Sequence, residues 1–249
     1  MNRPSSIFSW LRVPLVLVLA AGLLLTGCQQ EKTIKIGYVT EQTGVEAYIG
    51  QATVPALQDY IDEVNAAGGV GGYKLQLVAY DTRSEVTDAV SVTKRLIEQD
   101  RVTAVIGPSW SAAAIPMAEI ADTNKVPIIA TTASNVNVTV DEKGELNPFM
   151  FRVCFIDPYQ GFALADYAYN ELGKRKVAFL TDVASPYSVG IQRYFAEHFV
   201  ELGGEVVAEE GYQTGDTEFR AQLAKVKDSG ADVLVAPAYT YRDAGLIGQ

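Results

Sequence analysis

The residue types that carry chemistry are few in this chain, and their spacing does not favour catalysis. The single histidine, His198, lies in YFAEHFVELGG, a pattern in which a histidine on a helix face or in a core outweighs a catalytic base. No serine sits in a GxSxG elbow. No HExxH or paired-cysteine spacing offers a metal site, and no Walker or GxGxxG pattern follows a strand. The sequence therefore predicts no enzyme, no metal and no cofactor, with converging carboxylates the one catalytic arrangement that spacing does not address. Hydroxyl groups, by contrast, are clustered. Pro108-Ser109-Trp110-Ser111 and Thr131-Thr132-Ala133-Ser134-Asn135 each follow a short apolar run that reads as a strand. Such loops can donate to a carboxylate and accept from an ammonium. Taken singly, Ser111 is equally a helix N-cap, and Thr132 and Ser134 are equally turn formers. Two such loops on adjacent strands pick out Ser111, Thr132 and Ser134 as one binding surface.

Aromatic residues recur at the same kind of position. Tyr48 lies near the end of the first predicted strand, Trp110 follows the third, Tyr187 follows Thr181-Asp182, and Tyr239 follows Ala236. Such rings can wall a pocket, although each would serve as well in rim or core packing.

The elements that must position these side chains alternate. Strands are predicted at 34–39, 74–80, 103–107 and 127–130, with helices at 45–65, 85–99 and 111–122 between them. GGVGG at 68–72 follows a helix and precedes a strand, the reverse of a phosphate-binding loop, and reads as a turn. A polar stretch at 135–148 then breaks the pattern and reads as a crossover between lobes. The second series has an extended segment at 149–155, a helix at 158–172, strands at 176–181, 205–212 and 232–236, and helices at 186–202 and 218–228. Alternating strands and helices imply parallel sheets covered on both faces, here an α/β protein of two doubly wound lobes, 33–148 and 149–249. Ligands of such sheets bind beyond the carboxyl ends of the strands, which puts the site in the cleft between lobes. The last residues, 242–249, read as the opening turns of another helix, so the second lobe is expected to be incomplete.

The N-terminus carries Arg3 and Arg12, no acid, and the run VPLVLVLAAGLLL, a signal peptide over residues 1–27. Leu25-Thr26-Gly27-Cys28 resembles the bacterial lipobox, so Cys28 is the expected lipidation site and 28–32 a linker. Losing the leader takes the formal net charge from −10 to −12, and no Lys/Arg cluster is present to follow phosphates, which argues against a nucleic-acid partner. With Cys28 acylated, Cys154 is the one thiol left and no internal disulfide forms.

Beyond these readings, IKIGYVTEQTG, DEVNAAGGVGGYKLQLVAYD, DRVTAVIGPSWS, VPIIATTAS, FRVCFIDPYQG, KVAFLTDVASPYSVG and ADVLVAPAY resemble, in order and spacing, periplasmic binding proteins of the branched-chain amino-acid (Leu/Ile/Val) class. The resemblance runs from Thr33 to the end and implies the type I periplasmic-binding fold, two doubly wound lobes joined by a hinge. It assigns ligand contacts to Ser111, Thr132 and Ser134 on the first lobe and to Tyr187 and Tyr239 on the second. Alignment at Tyr187 needs one inserted residue, and Tyr-Ser stands there where Tyr-Gly is usual. Relatives often carry two paired cysteines where this chain has Ser84 and Trp110. Their acidic contact for a ligand ammonium falls later than Gln249. The implied function is that of a substrate-binding lipoprotein of an ABC importer, exported to the periplasmic or cell-surface face. It would hold an amino acid or similar solute, act as a monomer and meet a membrane permease. The alternative is a ligand-sensing receptor lipoprotein of the same fold.

Overall fold

The computed structural model describes residues 32–249, so the predicted signal segment and Cys28 lie outside the described residues. Two parallel sheets form, each sandwiched by helices. The first takes β1 (Thr33–Thr40), α1 (Ala47–Ala66), β2 (Lys74–Asp81), α2 (Val86–Glu98), β3 (Ala104–Ile106), α3 (Ser111–Asn124), β4 (Ile128–Ala130) and β5 (Met150–Arg152). Its strand order is β2-β1-β3-β4-β5, with every neighbouring pair parallel. Helical spacing on α2 buries Ala89, Thr93, Leu96 and Ile97. Small residues on α3 (Ala113, Ala114, Ala118, Ala121) let it lie close to Val105, Ile128 and Met150 in one apolar core.

The second sheet is built from α4 (Asp157–Asp166), β6 (Lys176–Asp182), α5 (Pro186–Glu201), β7 (Glu205–Tyr212), α6 (Arg220–Asp228), β8 (Val233–Val235) and α7 (Tyr241–Ile247), in the order β7-β6-β8. The central β6 is buried from Val177 to Asp182, as a parallel strand covered on both faces must be. Val177 and Phe179 pack on Ala165, Ala168, Phe195 and Phe199, while Leu180 faces Tyr212, Phe219 and Ile247.

Two expectations need correction. The first sheet extends past residue 148, because Met150–Arg152 pairs with β4 and not with the second sheet. The polar stretch folds back on the first lobe through a 3-10 turn at Val136–Val138 and a Val140–Leu146 bridge. The Arg152 guanidinium then donates to the carbonyl of Asn135 (2.7 Å), which also accepts the Val138 N–H, and to Thr139 Oγ1 (2.6 Å), tying the turn to β5. The chain passes to the second sheet only after Arg152. The helix read at 158–172 ends at Asp166 and runs on as a π turn, Tyr167–Glu171.

Candidate functional site

Gly107 sets the direction of the loop after β3. Its φ is +90°, and a Cβ there would lie 2.2 Å from the carbonyl oxygen of Val39, so only glycine lets the chain turn this close to β1. The loop delivers Trp110 as an extended N-cap with no side-chain capping bond, followed by Ser111 as the first residue of α3. The buried Ser111 hydroxyl accepts from the Asn135 backbone N–H at 3.2 Å, which leaves its own hydrogen to donate. The loop after β4 runs beside it. Thr132 Oγ1 donates to the carbonyl of Ser109 at 2.6 Å, so it retains lone pairs but no donor. The Ser134 hydroxyl lies near enough to the Asp157 carboxylate to lower its pKa, and the Ser134 carbonyl accepts the Asp157 N–H at 3.0 Å.

The second lobe meets these loops with rings. Tyr239 stacks on Trp110 with centroids 6.2 Å apart, and Tyr187 meets Tyr239 edge to face at 6.1 Å. At the rim, Tyr48 of the first lobe stacks on Tyr241 of the second at 4.9 Å. Asn135 also ties the lobes: its Nδ2 donates to Asp157 Oδ2 (3.0 Å) and to the carbonyl of Pro186 (2.8 Å) at the start of α5.

Two adjoining cavities lie between the lobes. One, of about 480 Å³, is lined by Ser111, Thr132, Ser134, Tyr48, Tyr187 and Tyr239, together with Tyr38, Ser109, Gln160 and Tyr241. The other, of about 450 Å³, shares Ser111, Tyr187 and Tyr239 and adds Trp110, Val45, Val86, Asp182 and Thr214. Each residue singled out in the sequence for ligand contact therefore lines one cavity or both; Trp110 lines only the second. Among the lining residues that escaped the sequence reading are four of the first cavity. Tyr241, in AYTY, carried the same aromatic signal as Tyr239. Tyr38 looked like an alternating strand residue, and its hydroxyl donates to Thr53 Oγ1 at 2.6 Å. Ser109 was passed over beside Ser111, and nothing local marks Gln160, which donates to Tyr187 Oη at 3.0 Å.

Buried acids surround the cleft. Burial pushes Glu41, set against Ser109, up to about 7, and pushes Asp157 up to about 6 against the opposing pull of Ser134, Asn135 and Arg152. Glu46 is raised by burial and by the nearby charge of Asp243, which is itself raised by burial and by Asp182 and Asp216. Burial likewise raises the Tyr239 phenol, which stays neutral. Among the described residues, no group of three His, Cys, Asp or Glu could hold a metal ion. His198 lines neither cavity and sits between Asp166 (3.2 Å) and Glu201 (3.3 Å). The arrangement can hold a small polar solute by hydroxyls, helix N–H groups and rings.

Residues 33–247 match the periplasmic binding protein family. An amino acid binding protein of Pseudomonas aeruginosa is 35% identical over 201 residues, 81% of this chain and 52% of that protein. In structure, the chain is similar to the branched-chain amino-acid transporter substrate-binding protein LivJ of Streptococcus pneumoniae in complex with isoleucine. The TM-score is 0.78 and the identity 39%, over 87% of this chain and 60% of that one. A solute-binding protein of an ABC transporter from Rhodopseudomonas palustris in complex with 3,4-dihydroxybenzoic acid gives 0.72 and 27%, over 83% and 54%. The chain thus spans little more than half the length of the proteins it matches.

Proposed function

We propose, from the premise that this chain belongs to the periplasmic binding protein family and to its branched-chain amino-acid class, that it captures an amino acid or similar small carboxylate between its lobes. In this reading it hands the solute to an ABC importer. One observation carries the proposal. Hydroxyls from two first-lobe loops and tyrosines from the second lobe line one cavity of about 480 Å³, within the range of small-molecule sites. Ser111 then donates to the ligand carboxylate beside the open N-terminus of α3, Thr132 accepts from a polar hydrogen of the ligand, and Tyr187 and Tyr239 close over it. No covalent step is involved. Isoleucine in the LivJ complex and dihydroxybenzoate in the Rhodopseudomonas complex both carry a carboxylate, which suits this donor set.

Thermal-shift screening of amino acids, amides, small peptides and aromatic acids tests the reading, since a ligand that binds only the folded state raises the melting temperature by mass action. A stabilising carboxylate whose effect is weakened by Ser111→Ala supports it; a full set with no shift, or turnover of a bound solute, overturns it. The lipid anchor is tested separately. Cys28→Ser should release the protein from membranes without altering ligand affinity, and recovery of the variant only in the membrane fraction would remove the anchor from the proposal.

A further inference from the structure

The second cavity, of about 450 Å³, is left without a role by a ligand that fills only the hydroxyl-lined one. Either cavity alone falls in the range of about 300–1,000 Å³ that accommodates a whole drug-sized ligand. They share Ser111, Tyr187 and Tyr239, so they are two chambers of one cleft that meet at these three residues. Their chemistry differs. The first presents the hydroxyls that receive a polar head. The second is walled by Val45, Val86, Ala112 and Ala184 and by the Trp110 indole, which lies nearly parallel to the Tyr239 ring, 24° between planes.

The charges at the second chamber narrow what enters it. Glu85 and Asp182 both line it, and among the described residues no Lys or Arg does, so a second negative charge is repelled. Nor does Asp182 call for a cation: its Oδ1 accepts from the Ala184 N–H at 3.0 Å and its Oδ2 from Thr214 Oγ1 at 2.5 Å. Glu85 is exposed, so water screens its charge, and what suits these walls is apolar and uncharged.

Resting on the solute-capture reading above, we propose that the cleft takes a carboxylate longer than a free branched-chain amino acid. Its head lies at Ser111 and Thr132, and its neutral, apolar extension passes Tyr239 into the chamber walled by Val45, Val86 and Trp110.

Calorimetric titration of the full-length protein with two graded series tests this. One series is L-leucine, L-phenylalanine, L-homophenylalanine and 4-phenyl-L-phenylalanine; the other is benzoate and 4-phenylbenzoate. Within whichever series binds, the longest member is expected to bind at least tenfold tighter than the shortest. Ala184→Leu and Thr87→Phe each narrow only the second chamber from solvent-exposed positions, and each should reduce that gain below threefold while leaving the shortest member unchanged. Short members that bind as tightly as long ones overturn the proposal and leave solute capture intact. So does a gain from length that neither variant reduces, because the extension then runs elsewhere. Failure of both series to bind would sink the solute-capture reading, and this inference with it.

Discussion

Ser111 and Thr132 have different hydrogen-bonding capacity left to offer a ligand. Ser111 keeps a free hydrogen, whereas that of Thr132 is committed to the Ser109 carbonyl, so the pair offers a donor at one position and an acceptor at the other. Ser111→Ala should weaken a bound carboxylate by about 1.5–3 kcal/mol in calorimetric titration, the range for a hydrogen bond to a charged group. Ser134 lines the cavity and also lowers the Asp157 pKa; if it acts mainly through Asp157, Ser134→Ala should raise that pKa further and change affinity mainly above pH 6. That difference in pH profile separates a ligand contact from a support. Glu41 makes a prediction about stability. Its carboxyl ionises at about 7 in the folded chain against an ordinary value of 4.5, so between these values the folded state holds a proton that the unfolded state has lost. Stability should therefore fall as pH rises through that window, by up to about 3 kcal/mol from this group. Urea unfolding of Glu41→Gln, neutral at every pH, should show a flatter profile between pH 4.5 and 7; an unchanged slope would remove Glu41 as its source.

The packing of α4 on α5 shows how an element fixes the site. Gly190, on α5, faces Asp157 at the start of α4, and a Cβ there would lie 2.2 Å from Asp157 Oδ2. Gly190→Ala must push the helices apart or turn the carboxylate away from Asn135, at a cost of about 1–3 kcal/mol in unfolding free energy. Equilibrium denaturation checks it, and a variant as stable as the parent would show that the contact has slack. At this scale the sequence was readable where apolar runs are continuous and Gly or Pro punctuates them: β6, α5 and β7 fall within a residue or two of expectation. It failed at β5, three residues long with Phe151 exposed, whose place in the first sheet depends on Arg152 reaching back to Asn135 and Thr139. No local pattern encodes that reach. The same holds for the cleft. Ser111, Thr132 and Ser134 follow strands and so could be picked out, whereas Gln160 earns its position only because α4 packs beside α5 and its amide meets Tyr187.

At the scale of the whole molecule, the contacts that hold closure include the Asp157 N–H on the Ser134 carbonyl, the Asn135 amide on Pro186 and Asp157, and two ring pairs, Trp110 with Tyr239 and Tyr48 with Tyr241. Asn135→Ala removes both amide bonds without touching Ser111 or Thr132. It should populate an open form, seen as a larger radius of gyration in small-angle scattering, and lower the apparent affinity in proportion to the closed fraction lost. An unchanged radius and affinity would mean that the ring pairs suffice. One of those pairs has an optical consequence. The sequence holds two tryptophans, and Trp10 falls in the predicted leader, so cleavage before Cys28 leaves Trp110 as the sole indole chromophore of residues 28–249. Its neighbour across the cleft, Tyr239, belongs to the other lobe. Emission of residues 28–249 excited at the red edge, where tyrosine does not absorb, should therefore shift when Trp110 loses its Tyr239 neighbour or meets a solute, so this stretch of chain can be titrated with candidate solutes in a cuvette without any attached dye.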